Sequence, residues 1–261
     1  RDRRAGGDLM RRLLLALALV LAASPASAER LVTQVSQDEV SITSSFAGQT
    51  LTLFGAIEPD VGAEQRFVEG PYHAIITITG PLQNRVARRK TNQFGIWLNT
   101  SQAEFERFPS FYQVLSDAPL SNITDPITLA EKEIPLDSQA RYTAKAGWWD
   151  ATVFGAELTR LMQQKGFFKL NENGVVFRSD TFYFAQVALP SDAPPGPYLA
   201  HTYLIKNGKV IAEKSDGFSV RKIGFERFLG QAARTQPLLY GLVCVALALF
   251  TGWLGGVVFK R

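Results

Sequence analysis

The chain has 261 residues, with 28 lysines and arginines against 24 aspartates and glutamates and a pI near 9.2. Seven of these cations and two of the anions lie in residues 1–28 and 260–261, which leaves 21 cations and 22 anions in between. This near-neutral balance argues against a nucleic-acid-binding surface, and a single cysteine excludes a domain stabilised by internal disulfides.

The first 28 residues have the pattern of an export signal. Arg11 and Arg12 precede an apolar run over residues 13–23, and the small residues Ala26-Ser27-Ala28 follow. A short apolar run that ends in small residues is typical of a cleavable signal peptide. We therefore expect residues 1–28 to be an N-terminal extension and signal peptide, with uncleaved retention as the alternative, and the residues after them to be exported.

Two blocks of the exported part, residues 31–100 and about 175–220, have the composition of β-structure. Short segments rich in β-branched and aromatic residues alternate there with Gly, Pro, Asn and Asp. The segments are LVTQVS, EVSIT, TLTLFGAI, YHAIITITG, NRVARRKT and FGIWLNT, then VVF, TFYFAQVALP, YLAHTYLI, KVIAEK and GFSV. Asn207-Gly208 predicts a tight hairpin, because both residue types tolerate the positive φ of a type I′ turn.

The intervening residues, about 101–170, predict a helical insertion. The stretches TSQAEFERF and DATVFGAELTRLMQQKG both have helical spacing of their apolar residues. In the second stretch Asp150 is suited to cap the start of a helix, and Gly166 after Lys165 is suited to end it.

These patterns predict a mainly β fold, an immunoglobulin-like antiparallel sandwich over residues 29–220 with a helical insertion. The Pro- and Gly-rich corner in ALPSDAPPGPYLAHTYLI resembles the junction of strands E and F in such sandwiches. Tyr198 would then form a tyrosine corner, with its hydroxyl bonded back to the corner's backbone. Two separate small domains that meet near residues 101–120 are the alternative.

The chain ends in a predicted membrane anchor. Residues 221–236 are expected to form a juxtamembrane amphipathic segment, with a plain linker as the alternative. Residues 237–259 contain no charged residue and are long enough to cross a bilayer as a helix, which leaves residues 260–261 as a cytoplasmic end. Cys244, Ala248, Gly252 and Gly256 recur every four residues, and such a face of small side chains favours helix packing against a multi-span membrane protein or a second copy.

Two groups of residues are candidates for ligand binding. Arg88, Arg89 and Lys90 precede Trp97, which suggests an anion site against an aromatic wall, although a solvated edge strand explains the same pattern.

His73 and His201 fall on strands predicted to be neighbours. Two imidazoles side by side would bind copper or zinc with a third oxygen ligand, and two unrelated histidines are the alternative. We find no phosphate-binding loop, nucleophile elbow or dinucleotide fingerprint, so we predict neither an enzyme nor a cofactor.

Several stretches resemble a known family. FAGQTLTLFGAI, RRKTNQFGIWLN, LPSDAPPGPY and, above all, GFERFLGQAARTQPLLYGLVCVALALFTGWLGGVVFKR are similar to the Alph_Pro_TM family of alphaproteobacterial transmembrane proteins. The resemblance covers the mature chain and implies a Gram-negative inner membrane with a periplasmic domain. It implies no catalytic residues.

Two functions follow as expectations. The first is a membrane-anchored periplasmic interaction module that serves as an accessory subunit of an inner-membrane transporter or envelope complex. The alternative is a tethered periplasmic binding protein for a small anion or metal ion.

Overall fold

The computed structural model describes residues 29–42, 48–59, 68–145, 148–222 and 225–258. The predicted signal peptide and the predicted cytoplasmic end lie outside these residues. Strands predominate, which confirms the prediction of a mainly β fold. The strands are β1 (Glu29–Val35), β2 (Glu39–Ile42), β3 (Gln49–Pro59), β4 (His73–Thr79), β5 (Leu82–Gln93), β6 (Ile96–Pro109), β7 (Tyr112–Ser116), β8 (Phe168–Asn171), β9 (Val175–Phe177), β10 (Phe182–Leu189), β11 (Gly196–Lys206) and β12 (Lys209–Lys222).

The helices of the described residues fall in two groups. Four lie between β7 and β8, and two follow β12. They are α1 (Leu120–Ile123), α2 (Pro126–Glu131), α3 (Ser138–Thr143), α4 (Trp148–Gln164), α5 (Phe225–Thr235) and α6 (Pro237–Val258).

The strands form two larger sheets and a separate hairpin. One sheet has the order β1-β3-β10-β9, and the other has the order β2-β12-β11-β4-β7-β8. Most pairs are antiparallel, while β2 with β12 and β7 with β8 are parallel. Each larger sheet contains strands from both predicted β blocks, so neither block makes a sheet by itself.

The two larger sheets share one hydrophobic core. In β3 the residues Leu51, Leu53 and Ile57 are buried, because side chains of one parity in a strand point to the same face. They belong to the same cluster as Ile76 and Ile78 of β4 in the opposite sheet. Burial of each such side chain contributes about 1.5–3 kcal/mol, so this layer is the main source of stability.

A second core lies on the other face of the six-stranded sheet. Ile75 of β4 packs there with Phe105 and Phe108 of β6, Ile134, and Met162 of α4. Because β4 is covered on both faces, its side chains are buried without interruption from Ala74 to Ile78 rather than in alternation. The helical insertion therefore covers this face of the six-stranded sheet.

Residues 100–108 correct one prediction: TSQAEFERF is part of strand β6, not a helix. Ala103 and Phe105 face the second core while Glu104 and Glu106 are exposed, which is the two-residue period of a strand. The apolar spacing of this short stretch is compatible in part with a helix and in part with a strand. Its pairing with β5, which no local pattern encodes, determines that it forms a strand.

The boundaries of α4 correct a second detail. The helix begins at Trp148, so Asp150 lies inside its first turn and is not its cap. Its predicted end is confirmed, because Gly166 adopts a φ of +74° just after Gln164. The N–H of Phe167 bonds to the carbonyl of Met162, and that of Gly166 to the carbonyl of Gln163, at 3.0 and 2.9 Å. These two bonds form a Schellman motif.

Two local predictions in the second β block are confirmed. Asn207 and Gly208 both have positive φ, 51° and 76°, and connect β11 to β12. The hydroxyl of Tyr198 donates a hydrogen bond of 2.8 Å to the carbonyl of Pro194, four residues upstream. This bond ties the start of β11 to the corner that precedes it.

Candidate interaction site

The β5–β6 hairpin extends beyond the two sheets. Its two strands form a sheet of their own, and one isolated bridge joins Phe105 of β6 to Ala144. The base is anchored, since Ala103 and Phe105 of β6 are buried in the second core. The tip is uncovered: the turn at Phe94-Gly95 leaves the Phe94 side chain fully exposed, and Trp97 is 66% exposed. We define the hairpin tip as Phe94, Ile96, Trp97 and Leu98.

The predicted anion-binding residues all lie on this hairpin but do not converge. Arg88 and Lys90 have the same parity in β5 and share a face with Trp97, which lies opposite Asn92. Arg89 has the other parity and faces the opposite side. All four side chains are exposed, so the geometry is an open cationic surface rather than a closed anion pocket.

The two histidines lie on neighbouring strands, but they are not side by side. His73 is opposite Ile205, whereas His201 is opposite Thr77. Four positions along a strand separate the two rings by about 13 Å, too far for one metal ion to bridge. Among the described residues, no group of three or more His, Cys, Asp or Glu side chains is placed to hold a metal ion.

Each histidine has partners of its own. The Nδ1 of His73 is 2.7 Å from Asp117 Oδ2, and the other oxygen of Asp117 accepts the N–H of Ala74 at 2.8 Å. The Nε2 of His201 is 3.2 Å from Glu213, and its Nδ1 is 2.7 Å from the hydroxyl of Ser215. The His73 contact joins β4 to the segment after β7, and the His201 contacts join β11 to β12. Both rings therefore have a structural role.

A polar groove lies between the outer face of the six-stranded sheet and the helical insertion. Its volume is about 430 Å³. The lining comes from β4, β5, β6, β7, β11, α3 and the segment after α2: Thr77, Thr79, Leu82, Glu106, Arg107, Pro109, Tyr112, Lys132, Glu133, Gln139, Thr143, Leu199, His201 and Tyr203. Sequence reasoning identified only His201 of this set, because the other residues come together through long-range pairing.

Two charged residues of the groove have strained backbones. Arg107 and Glu133 both adopt a φ of 54°, the left-handed region that residues other than glycine and asparagine rarely occupy. Neither side chain takes part in an ion pair with another described residue. Strained residues with unpaired charge in a concave surface are features of ligand-binding sites.

Burial and hydrogen bonds shift the pKa values of the ionisable groups at the rim of the groove. Burial acts to raise the pKa of Glu213, but hydrogen bonds from Lys132, at 2.6 Å, and from His201 outweigh it and lower that pKa below its usual value. Burial raises the pKa of Tyr203 to about 12 and that of Tyr112 further still. Both phenols therefore remain neutral hydrogen-bond donors over the physiological range.

The C-terminal helix α6 confirms the prediction of one apolar helix at the end of the chain. Residues Pro237–Val257 have a mean hydropathy of 2.0, and none of the helix is covered by the rest of the protein. Its 22 residues span about 33 Å, enough to cross the hydrocarbon core of a bilayer. Among the described residues it is the one helix with these properties.

The small residues Cys244, Ala248, Gly252 and Gly256 form one exposed face of α6. Added Cβ atoms at Gly252 and Gly256 would meet nothing within 4 Å. The preceding helix α5 occupies most of the predicted juxtamembrane segment.

Comparison with protein families gives a match over nearly the whole chain. The model of the family described as "Putative transmembrane protein (Alph_Pro_TM)" matches residues 30–261. A search of curated proteins finds no match. The family match spans the two larger sheets, the hairpin, the helical insertion and α6 together.

Proposed function

Because the chain belongs to the Alph_Pro_TM family of transmembrane proteins, we propose that it is a membrane-anchored interaction module without catalytic activity. In this proposal α6 lies in the inner membrane, the β-rich domain lies in the periplasm, and the protein is an accessory subunit of a transporter or envelope complex. The observation that carries it is α6 itself, an apolar helix that the other described residues leave exposed and that presents a face of small residues.

Helix packing in lipid supports a partner at that face. Lipid tails are as apolar as leucine, so helices associate where small residues let their backbones approach closely. The spacing of four between Cys244, Ala248, Gly252 and Gly256 gives such a surface over three turns. The partner is either a multi-span membrane protein or a second copy of this chain.

The periplasmic location is supported by the export signal that is predicted before Glu29. The large domain would then be translocated and α6 would stop transfer.

We further propose that the domain is an immunoglobulin-like sandwich. The orders β1-β3-β10-β9 and β12-β11-β4-β7 correspond to strands A-B-E-D and G-F-C-C′ of that fold. The hydrogen bond from Tyr198 to Pro194 corresponds to its tyrosine corner. Such domains commonly mediate protein–protein contacts, which agrees with an interaction role.

The partner proposal is tested by crosslinking the full chain in native membranes and identifying the chains that co-purify. We expect Gly252→Leu combined with Gly256→Leu to abolish the crosslink by filling the small-residue face. Ala246→Leu, a comparable enlargement on the opposite face, should retain it. If the wild-type chain is recovered alone, or if the double variant crosslinks like wild type, the proposal is wrong.

A tethered binding protein for a small anion is the second candidate, and the polar groove favours it. Arg107 lines the groove without an ion-pair partner among the described residues, at a strained φ. Calorimetric titration of the full chain in detergent with phosphate and sulfate tests this function. Heat that disappears in Arg107→Asn, which tolerates the same φ, would support it, and flat wild-type titrations would eliminate it.

A further inference from the structure

The hairpin tip exposes apolar side chains on both of its faces. Ile96 and Leu98 lie on one face of β6, Trp97 lies on the other, and Phe94 is at the turn. All four are exposed, by 62, 47, 66 and 104% respectively. Antiparallel strands that pack against protein commonly keep one face apolar and the other polar, whereas apolar side chains on both faces suit a tip surrounded by an apolar medium.

The turn at the tip retains Phe94 at a conformational cost. Its φ of 54° is a position where asparagine, aspartate or glycine is usual. With an aromatic residue in this conformation, the hairpin projects a large apolar ring beyond the end of both strands. No described residue packs over that ring, so the folded domain does not use it for its own stability.

The outer part of the hairpin, beyond Glu104 and Glu106 at its base, carries charge of one sign only. Between Leu82 and Ala103 there are four cations, Arg85, Arg88, Arg89 and Lys90, and no acidic residue. Arg88, Arg89 and Lys90 make no ion pair with a described residue, and Arg88 has only a long contact of 3.4 Å to Gln102. The remainder of residues 29–259 carries 17 cations against 22 anions, so this is a local cationic surface on an otherwise acidic part of the chain.

The distance between the cations and the tip matches the dimensions of a membrane interface. Lys90 precedes Phe94 by four strand positions, about 13 Å, and its extended side chain spans about 6 Å of this. With the tip at the boundary between headgroups and acyl chains, the ammonium group would lie about 7 Å above it, within the headgroup layer. The charges of Arg89 and Arg88 would lie about 3 and 7 Å farther out, within about one Debye length of the anionic surface.

The base of the hairpin lies at the end of the sheet from which the chain leaves for the membrane. β4 and β12 are both antiparallel to β11 and hence parallel to each other. Thr79, at the end of β4, is opposite Leu199, and Val220, near the end of β12, is opposite Gly196. β5 begins just after β4, and α5 and α6 follow β12, so the hairpin and the membrane helix start from the same edge of the domain.

We propose that the hairpin tip inserts into the lipid interface of the membrane that holds α6, with Arg88, Arg89 and Lys90 bound to anionic headgroups. The domain is then attached to the bilayer at two points, which orients it relative to the surface. This role does not depend on a protein partner for α6. It requires only the anchored helix and an anionic leaflet.

The test uses the full chain reconstituted in vesicles, with a fluorophore whose emission depends on polarity. Cys244→Ala removes the native thiol, and Gln93→Cys places the label beside the tip without removing an apolar residue. Lys209→Cys places a matched label at the β11–β12 turn, at the other end of the sheet. The vesicles contain either phosphatidylglycerol with phosphatidylethanolamine or phosphatidylcholine alone, each with and without nitroxide-labelled acyl chains.

We expect a blue shift and nitroxide quenching for the label at residue 93 in the anionic vesicles, and neither for the label at residue 209. Arg88→Gln, Arg89→Gln and Lys90→Gln together should remove the difference between the two lipid compositions. Phe94→Asn combined with Ile96→Ser and Trp97→Ser should abolish quenching. The temperature at which the domain unfolds should not change, because Asn tolerates the positive φ of the turn.

Two results would overturn the proposal. In one, the label at residue 93 remains in a watery environment in both vesicle types. In the other, it shifts only when membrane proteins extracted from native membranes are added, which would assign the tip to a protein partner instead of lipid.

Discussion

The ring of Tyr183 covers Gly55, its directly opposite residue in the pairing of β10 with β3. A Cβ atom at residue 55 would lie 2.1 Å from the Cζ of that ring, and Tyr183 is fully buried. The absence of a side chain at residue 55 therefore creates the space that the ring fills, an arrangement in which a cross-strand aromatic shields a strand glycine.

Gly55→Ala is expected to lower the free energy of unfolding by about 1–3 kcal/mol, because the ring has to move within a packed core. Gly217→Ala is the matched control in β12, since its added Cβ would meet only the carbonyl of Tyr198 at 3.8 Å. Urea unfolding of the full chain in detergent, followed by circular dichroism, measures both. Equal effects of the two substitutions would contradict the steric argument.

Tyr198→Phe should destabilise the domain by about 1–2 kcal/mol, because the carbonyl of Pro194 loses its hydrogen bond. Tyr203→Phe is the control. Its hydroxyl lies 3.5 Å from the carbonyl of Lys132, at the limit of a hydrogen bond, and its removal should cost much less. The same unfolding experiment compares them, and a larger loss for Tyr203→Phe would show that the corner bond contributes little.

Glu213→Gln should make stability depend less on pH in the acidic range. The folded-state pKa of Glu213 is below its usual value, so its carboxylate stabilises the fold fully above the unfolded-state pKa of about 4.3. That contribution is lost as the pH falls through the lower folded-state pKa. The variant should thus be less stable than wild type at pH 7, by up to about 1 kcal/mol for a partly exposed pair, and should approach it near pH 3.

Glu131→Gln is the control for this pH dependence, because Glu131 has no ion pair with a described residue. Its stability difference from wild type should be small at both pH values. A difference for Glu213→Gln that persists unchanged down to pH 3 would show that its carboxylate does not act through its charge.

The predictions that succeeded depended on local signals. The alternation in TLTLFGAI identifies a half-buried strand, and Asn207-Gly208 encodes its turn through backbone conformation alone. TSQAEFERF was predicted wrongly because Phe105 and Phe108 have helical spacing while Ala103 and Phe105 have the spacing of a strand, and pairing with β5 selects the strand. The interaction surfaces were predictable only in part. Arg88, Arg89 and Lys90 were recognised as a cationic run, but strand parity separates them, and Arg107 reaches its groove only through tertiary packing.

A substitution in the turn between β11 and β12 measures how much free energy a left-handed backbone conformation costs. Gly208 has a φ of 76°, and an added Cβ would meet no atom within 4 Å, so Gly208→Ala involves no steric clash with a neighbour. We expect a loss of about 1 kcal/mol from the left-handed conformation itself. Gly230→Ala in α5 is equally open but helical, and there alanine should be favoured over glycine. Thermal unfolding that shows the same loss for both would refute a conformational origin.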